Sequence, residues 1–256
     1  MHTDRSVKTW RQTALSQPWT TVGYLLRRTH YAQDAMVMAA ARHLFGRDVR
    51  LDIWKAKLAE LDSFDLVPPT DTAPVGNSHL VTLGRWLYSL IRVSKPRVVI
   101  ETGVAHGMSA WLILNALEKN GRGILHSIDL PDHDTNPAFN VSGQSETGHL
   151  VPAVLRDRWN LVLGDSTIAL PRLLRDLGSV DVFLHDSDHS YRAMRQEFEA
   201  VVPHIAIGGV LVSDDVQKNR AFNDACQDHR LRAYVFRKGG AARVAPLDQQ
   251  SRRRDG

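Results

Sequence analysis

Apolar residues along this chain keep two periods, and the change from one to the other divides it. Over residues 1–95 the spacing is helical: Leu25, Leu26, Ala32 and the run 35–44, then Leu51, Ile53, Trp54, Leu58 and Leu61, then Leu80, Leu83, Trp86, Leu87, Leu90 and Ile91. The stretch LVPPTDTAPVGNS at 66–78, punctuated by proline and glycine, reads as a linker, with Asn77 or Ser78 placed to cap the helix that follows. From residue 96 onward, short β-branched runs alternate with helical patterns. Strands are expected at 97–101, 124–129, 161–164, 180–186, 210–214 and 233–237, and helices near 107–119, 166–176, 189–202 and 218–229. Runs apolar on both faces, alternating with helices, predict an α/β domain built on a parallel sheet covered on both sides. Its crossovers should be right-handed.

Five of these runs end in an acid or lead straight into one: Glu101, Asp129, Asp165, Asp186 and the pair Asp214-Asp215. A single acid at a strand end can simply cap the next helix. Five in corresponding places put a row of carboxylates along the rim where open parallel sheets bind ligands. The first run continues as VVIETGVAHGMSAWLIL, in which Gly103 and Gly107 bracket a turn that opens a helix. This is not a dinucleotide fingerprint, because Ala105 stands where the central glycine of G-x-G-x-x-G would let a pyrophosphate approach. Glu101 at the start of the turn would repel a phosphate but suits an ammonium. Asp129 is placed to accept hydrogen bonds from ribose hydroxyls. A ligand with a ribose and a positive charge, lacking a pyrophosphate, fits these features.

Composition and charge narrow the classes. No apolar stretch is long enough to span a membrane. The segment MHTDRSVKTWRQTALSQPW lacks the apolar core of a secretory signal, so a cytoplasmic protein is expected. Cys226 is the single cysteine, which excludes an internal disulfide. The formal charge is +4 and the pI about 9.4. Much of that excess is scattered arginine and the tail Arg252-Arg253-Arg254, with no aromatic-interleaved basic patch, so no nucleic-acid partner is expected.

The segments VIETGVAHGMSA, HSIDLP, LVLGDS, VFLHDSDHSY and GGVLVSDD occur in the order of the motifs of class I S-adenosylmethionine-dependent methyltransferases. Over residues 76–237 the chain resembles the metal-dependent O-methyltransferase branch, which includes macrocin-type sugar O-methyltransferases and cephalosporin-hydroxylase-like proteins. It is more distantly similar to catechol O-methyltransferase. The resemblance implies a Rossmann-like, seven-stranded, mostly parallel sheet with a reversed last strand, for which 242–245 is a candidate, plus a helical N-terminal extension. It implies S-adenosylmethionine as cofactor, with Glu101, Thr102, Gly103, Gly107 and Ser109 around the methionine end, Asp129 and Leu130 at the ribose, and Gly164, Asp165 and Ser166 near the adenine. Asp186 would also face the cofactor.

Asp186, Asp214 and Asp215 end neighbouring runs, and three carboxylates on one rim need a compensating cation. All-oxygen ligation suits a hard divalent ion such as Mg2+, and the family resembled has acids at these positions. By the same resemblance, His189 stands where the catechol enzymes keep a catalytic lysine. It is the candidate base for a substrate hydroxyl, with Asp186 as its catalytic partner. The competing reading of His189 is as a residue that orients the following helix while Asp188 does the ligation. His185 is given no role.

Between Leu130 and Val151 runs PDHDTNPAFNVSGQSETGHL, long and without period, expected to form a lid or substrate wall. His133, Asp134, Gln144 and His149 could hydrogen-bond a hydroxyl-rich acceptor. The loop offers few aromatic platforms, which favours a sugar over a catechol. Trp10, Trp19, Tyr24 and Tyr31 are candidates for the core, the acceptor pocket or a homodimer contact. The expected organisation is a helical extension at 1–75, the cofactor-binding domain at 76–247 and a disordered basic tail at 248–256. A phenolic acceptor is the alternative. A hydroxylase-like member would need an iron site, and no two-histidine-plus-carboxylate triad is visible. A non-catalytic member would not need the acids and His189 intact.

Overall fold

The structure, a computed structural model, describes residues 18–46, 49–63, 78–130 and 147–245; within these, the side chains of 18–31 and 78–81 are not described. Three helices come first: α1 (Pro18–Phe45), α2 (Leu51–Asp62) and α3 (Ser78–Ser94). Then follow β1 (Val98–Thr102), α4 (Met108–Asn120), β2 (Ile124–Asp129), β3 (Trp159–Leu163), α5 (Ser166–Leu177), β4 (Val180–His185), α6 (Tyr191–Val201), β5 (Ile205–Ser213), α7 (Ala221–Asp228), β6 (Arg232–Phe236) and β7 (Gly239–Arg243). The linker read at 66–78, apart from Ser78, and the tail at 248–256 lie outside the described residues.

The strands form one seven-stranded sheet in the order β3-β2-β1-β4-β5-β7-β6, as expected for a mostly parallel Rossmann-like sheet. The first five strands in that order run parallel, and β7 lies antiparallel between β5 and β6. Side chains alternate across the sheet with period two. Val99, Val182, Leu184, Val210, Val212 and Ala241 join the core formed with α1–α4. Ile100, Phe183, Leu211 and Ala242 join the core formed with α5–α7. Both faces are therefore buried, which is why the strand sequences read as continuous apolar runs.

The N-terminal helices share the first of these cores and add no separate one. Trp54 of α2 stacks on Trp86 of α3 at 5.1 Å between ring centroids, and Trp86 in turn meets Phe236 of β6 at 5.9 Å. Between the helices, the Arg85 side chain is only 2% exposed and bonds Asp34 of α1 at 2.6 Å and Asp62 of α2 at 2.5 Å. Arg85→Ala removes the buried charge with its packed side chain and leaves Asp34 and Asp62, 27% and 41% exposed, without this partner, so it should destabilise the fold by about 2 kcal/mol. Urea unfolding checks this, and an unchanged midpoint would refute the coupling. No helix among the described residues is long and apolar enough to cross a membrane.

Candidate active site

The order in which strands are added reverses at β1: β2 and β3 lie on one side of it, β4 and β5 on the other. Ligands bind outside the carboxyl ends of strands at such a switch point. The register gathers the acids there. Thr102 pairs with both Ile128 and His185, His185 pairs with Ser213, and Asp129 pairs with Leu163. The residues that follow each strand then lie side by side. Asp186 N–H donates to Thr102 O at 2.8 Å, Asp214 N–H to His185 O at 3.0 Å, and Gly164 N–H to Asp129 O at 2.8 Å.

Two glycines let the chains converge. Gly103 has φ +83°, and a Cβ there would lie 2.1 Å from the Asp186 carbonyl oxygen. Gly107 has φ +92°, and its Cβ would lie 2.8 Å from Gly148 Cα. Neither position admits a side chain, because the turn after β1 is pressed against the segment after β4 and against residues 148–151. Gly148 N–H donates to Ala105 O at 2.8 Å, and the rings of His106 and His149 meet edge to face at 5.2 Å.

Asp186, His189 and Asp214 each offer one ligand atom, and these atoms lie within 4.8 Å of one another. Asp214 is buried. His189 Nε2 lies 3.6 Å from Asp186 Oδ1. Burial first, then the charges of Asp214, Glu101 and Asp215, push the Asp186 carboxyl well above its ordinary value. Burial, with help from His185 and Lys218, pushes the His189 imidazole down, so it is neutral near pH 7. Asp215, expected in the cation site, is placed differently. Its φ is +45°, and its carboxylate is paired with Lys218 Nζ at 2.7 Å. Burial opposes its ionisation, but the Lys218 hydrogen bond and charge outweigh it, and its acidity is increased. The cluster is thus Asp186–His189–Asp214, with Asp215 at its side. Asp188 takes no place in it: it receives the Ser190 N–H at 2.8 Å, and Ser190 in turn caps α6.

Residues 100–216 match a family model described as a methyltransferase domain. Over those residues this chain is similar to a methyltransferase domain. The O-methyltransferase from Bacillus cereus in complex with SAH has the same fold: TM-score 0.50 and 15% identity, covering 85% of this chain and 100% of that one. Two further structures are similar. The SAH-bound Podospora anserina methyltransferase PaMTH1 has TM-score 0.48 at 13% identity, covering 78% of this chain and 89% of its own. CalS11, a TDP-rhamnose 3'-O-methyltransferase of calicheamicin biosynthesis, has TM-score 0.46 at 17% identity, covering 78% and 97%. Among curated proteins none matches the sequence.

Within the methyltransferase domain, several expected cofactor residues turn inward. Glu101 is fully buried, and its oxygens accept the hydroxyls of Ser109 and Ser127, the latter at 2.8 Å. Ser127 is itself held by Trp159 Nε1 at 2.9 Å. Burial, reinforced by Asp129, raises the Glu101 pKa to about 7 against those serine hydrogen bonds. Glu101, expected to meet an ammonium, here binds the hydroxyls of Ser109 at the start of α4 and Ser127 of β2. The hydroxyls of Thr102 and Ser166 are committed to Glu197, and Asp165 Oδ1 caps α5 through Thr167 N–H at 2.8 Å. Asp129 remains half-buried at the mouth, taking Val104 N–H on Oδ1 at 3.2 Å, and Leu130 beside it is exposed.

Of the acceptor candidates, His133, Asp134 and Gln144 lie outside the described residues, as does Trp10. Trp19, Tyr24 and Tyr31 fall in the part of α1 whose side chains are not described. Sequence reasoning missed Glu197 and passed over His185, which pair at 2.7 Å beneath the site. The available signal was Glu197's place on an otherwise apolar helix face: Met194, Glu197, Phe198 and Val201 are all buried.

Proposed function

We propose that this methyltransferase takes S-adenosylmethionine as donor and methylates a hydroxyl of a sugar or glycoside, assisted by Mg2+ held by Asp186 and Asp214. The observation that carries the reading is the cluster of ligand atoms within 4.8 Å at the switch point, beside the glycine turn. The sugar preference rests on the ordered motifs that resemble the macrocin-type branch.

The residues fit both groups. Buried Asp214 and half-buried Asp186, whose proton affinity is raised by neighbouring acids, form a site that a hard cation relieves. The glycine turn leaves backbone close to the rim, and Asp129 stands half-exposed at the end of β2, where a ribose diol would find an acceptor. When bound, S-adenosylmethionine supplies an electrophilic methyl on a sulfonium, and Mg2+ supplies Lewis acidity toward a hydroxyl.

The chain's own residues do the rest. Neutral His189, its Nε2 buried with no hydrogen-bond partner among the described residues, takes the hydroxyl proton on that nitrogen. Asp186 and Asp214 orient the acceptor oxygen, and Asp186 stabilises the imidazolium that forms 3.6 Å away. Gly103 and Gly107 let the turn after β1 pack against the segments at 186–187 and 148–151, which shapes the rim where the donor sits, and Asp129 fixes its ribose.

A methyl-donor assay over a panel of glycosides, with Mg2+ and then with excess chelator, tests the reading. Full turnover in chelator would remove the cation, and transfer to catechols alone would remove the sugar. Asp129→Ala should weaken S-adenosylhomocysteine binding by about 10- to 100-fold in calorimetry, the loss of hydrogen bonds to a charged group. Unchanged affinity would refute the ribose role. His189→Ala should lower turnover and flatten its pH profile while leaving Mg2+ affinity within about 3-fold. A large loss of Mg2+ affinity would make His189 a ligand instead of the base.

A further inference from the structure

Glu197 occupies a position on α6 where an apolar side chain would be expected, and its side chain is only 2% exposed. A buried carboxylate is tolerated only where donors surround it. Here there are four. Oε2 accepts Thr102 Oγ1 at 2.5 Å and His185 Nδ1 at 2.7 Å. Oε1 accepts Ser166 Oγ at 2.6 Å and Ser187 Oγ at 2.8 Å. These donors are the last residue of β1, the last of β4, the first of α5 and the turn that follows β4. Burial favours the neutral acid, but the hydrogen bond and charge of His185, with the hydroxyls, hold Glu197 below the usual carboxylate range. A carboxylate only accepts, so Nδ1 of His185 must carry a hydrogen. Its Nε2 is buried with no hydrogen-bond partner among the described residues. The His185 ring stands edge-on to His189, with centroids 5.4 Å apart and planes at 86°.

We propose that Glu197 is a positioning residue: it grips His185 and Ser187, the two neighbours of Asp186, and so fixes the aim of the Asp186 carboxylate and, through the His185 ring, of His189. This rests on the reading of Asp186, His189 and Asp214 as the reacting site. Packing alone does not account for the arrangement. Met194 and Phe198 already join α6 to the sheet core, and a leucine at 197 would continue that contact without gathering four polar groups. A carboxylate whose two oxygens are saturated by four donors from four different segments holds those segments in a single geometry, and that is the requirement of a site whose groups must meet a reacting atom.

Three measurements on the full chain decide it. Nitrogen-15 NMR of histidine-labelled protein should place a hydrogen on His185 Nδ1; a hydrogen on Nε2 with Nδ1 bare overturns the proposal. Glu197→Gln presents an amide N–H to groups that are themselves donors. It should lower kcat by about 10- to 100-fold and Mn2+ affinity, read by electron paramagnetic resonance, by about 10-fold. KM for donor and acceptor should stay within about 3-fold. A folded Glu197→Gln protein with native kcat and native Mn2+ affinity overturns the proposal. Ser187→Ala cuts one arm without touching α6 and should move both quantities the same way, by about 3- to 10-fold. If Glu197→Gln does not fold, Ser187→Ala with both quantities native overturns it in its place. Native protein that binds no Mn2+ would instead overturn the functional reading, so the two failures are distinguishable.

Discussion

Asp214→Asn should cut methyl transfer by about 10³-fold, roughly 4 kcal/mol of barrier, while S-adenosylhomocysteine affinity stays within about 2-fold. The amide keeps the shape of the side chain and removes the charge, so the fold is retained. Asp214 follows Ser213, which pairs with His185, and its N–H is tied to the His185 carbonyl at 3.0 Å. Its position beside Asp186 is therefore built into the β4–β5 ladder and does not depend on a bound ion. Loss of activity together with loss of donor binding would mean that the acid serves the cofactor, and native activity would dismiss it from the chemistry.

The same cluster fixes how stability responds to pH. Glu101, with its pKa near 7, and Asp186, raised by burial and by its acidic neighbours, hold protons in the folded chain at pH values where the unfolded chain has released them. Groups raised in this way favour folding below their unfolded pKa, and that contribution is lost as pH climbs through the folded one. For Glu101 the window runs from about pH 4.5 to about pH 7. A divalent cation opposes the loss, because it favours ionised Asp186. Mg2+ should accordingly raise Tm more at pH 8 than at pH 5.5. Scanning calorimetry giving an equal or smaller rise at pH 8 would contradict this account.

Gly103→Ala should be strongly damaging. Left-handed backbone costs an L-residue about 1–2 kcal/mol, and here the added methyl also meets a carbonyl oxygen at 2.1 Å. Because that oxygen belongs to Asp186, relief requires parting β1 from the turn that carries the cluster. A total near 3 kcal/mol or more is expected from urea unfolding, with activity lost even in the fraction that folds. Gly121→Ala is the control: its φ is +65°, but a Cβ there meets nothing within 4 Å. It should cost only about 1 kcal/mol. Equal effects at the two positions would mean that the contact with Asp186 is unimportant.

The sheet was readable because buried strands are written as continuous apolar runs and because their carboxyl ends carry acids. Where a strand begins without such a run, its start was hidden. β5 begins at Ile205, five residues before the expected run, since Gly208 and Gly209 interrupt the pattern and the register with β4 shifts between Val180 and Val182. β3 begins at Trp159, not 161, because polar Asn160 separates Trp159 from the apolar run that follows. α6 and α7 start later than expected, at Tyr191 and Ala221, because Ser190 caps α6 and Asn219 Oδ1 takes the Ala221 N–H in a turn ahead of α7. In the site, the row of acids was legible, but which carboxylate turns inward was not. Asp215 and Asp214 are adjacent in sequence, and only a left-handed backbone at Asp215, with Lys218 three residues on, separates their fates. Glu197 looked like one more charge on a solvated helix, since periodicity places a residue on a face without saying what the facing strands offer it.

The late hairpin of β6 and β7 also bears on how the chain is made. Arg243 reaches the Leu44 carbonyl at 3.4 Å across 199 residues, its guanidinium lies 4.8 Å over the Phe45 ring, and Tyr234 meets His43 at 5.6 Å. Helix α1 thus leaves the ribosome long before the strands that cover it exist. Until residues 232–243 emerge, α1 has only α2 and α3 to pack on, and the part of it that β6 and β7 will cover is open to mispairing in the nascent chain.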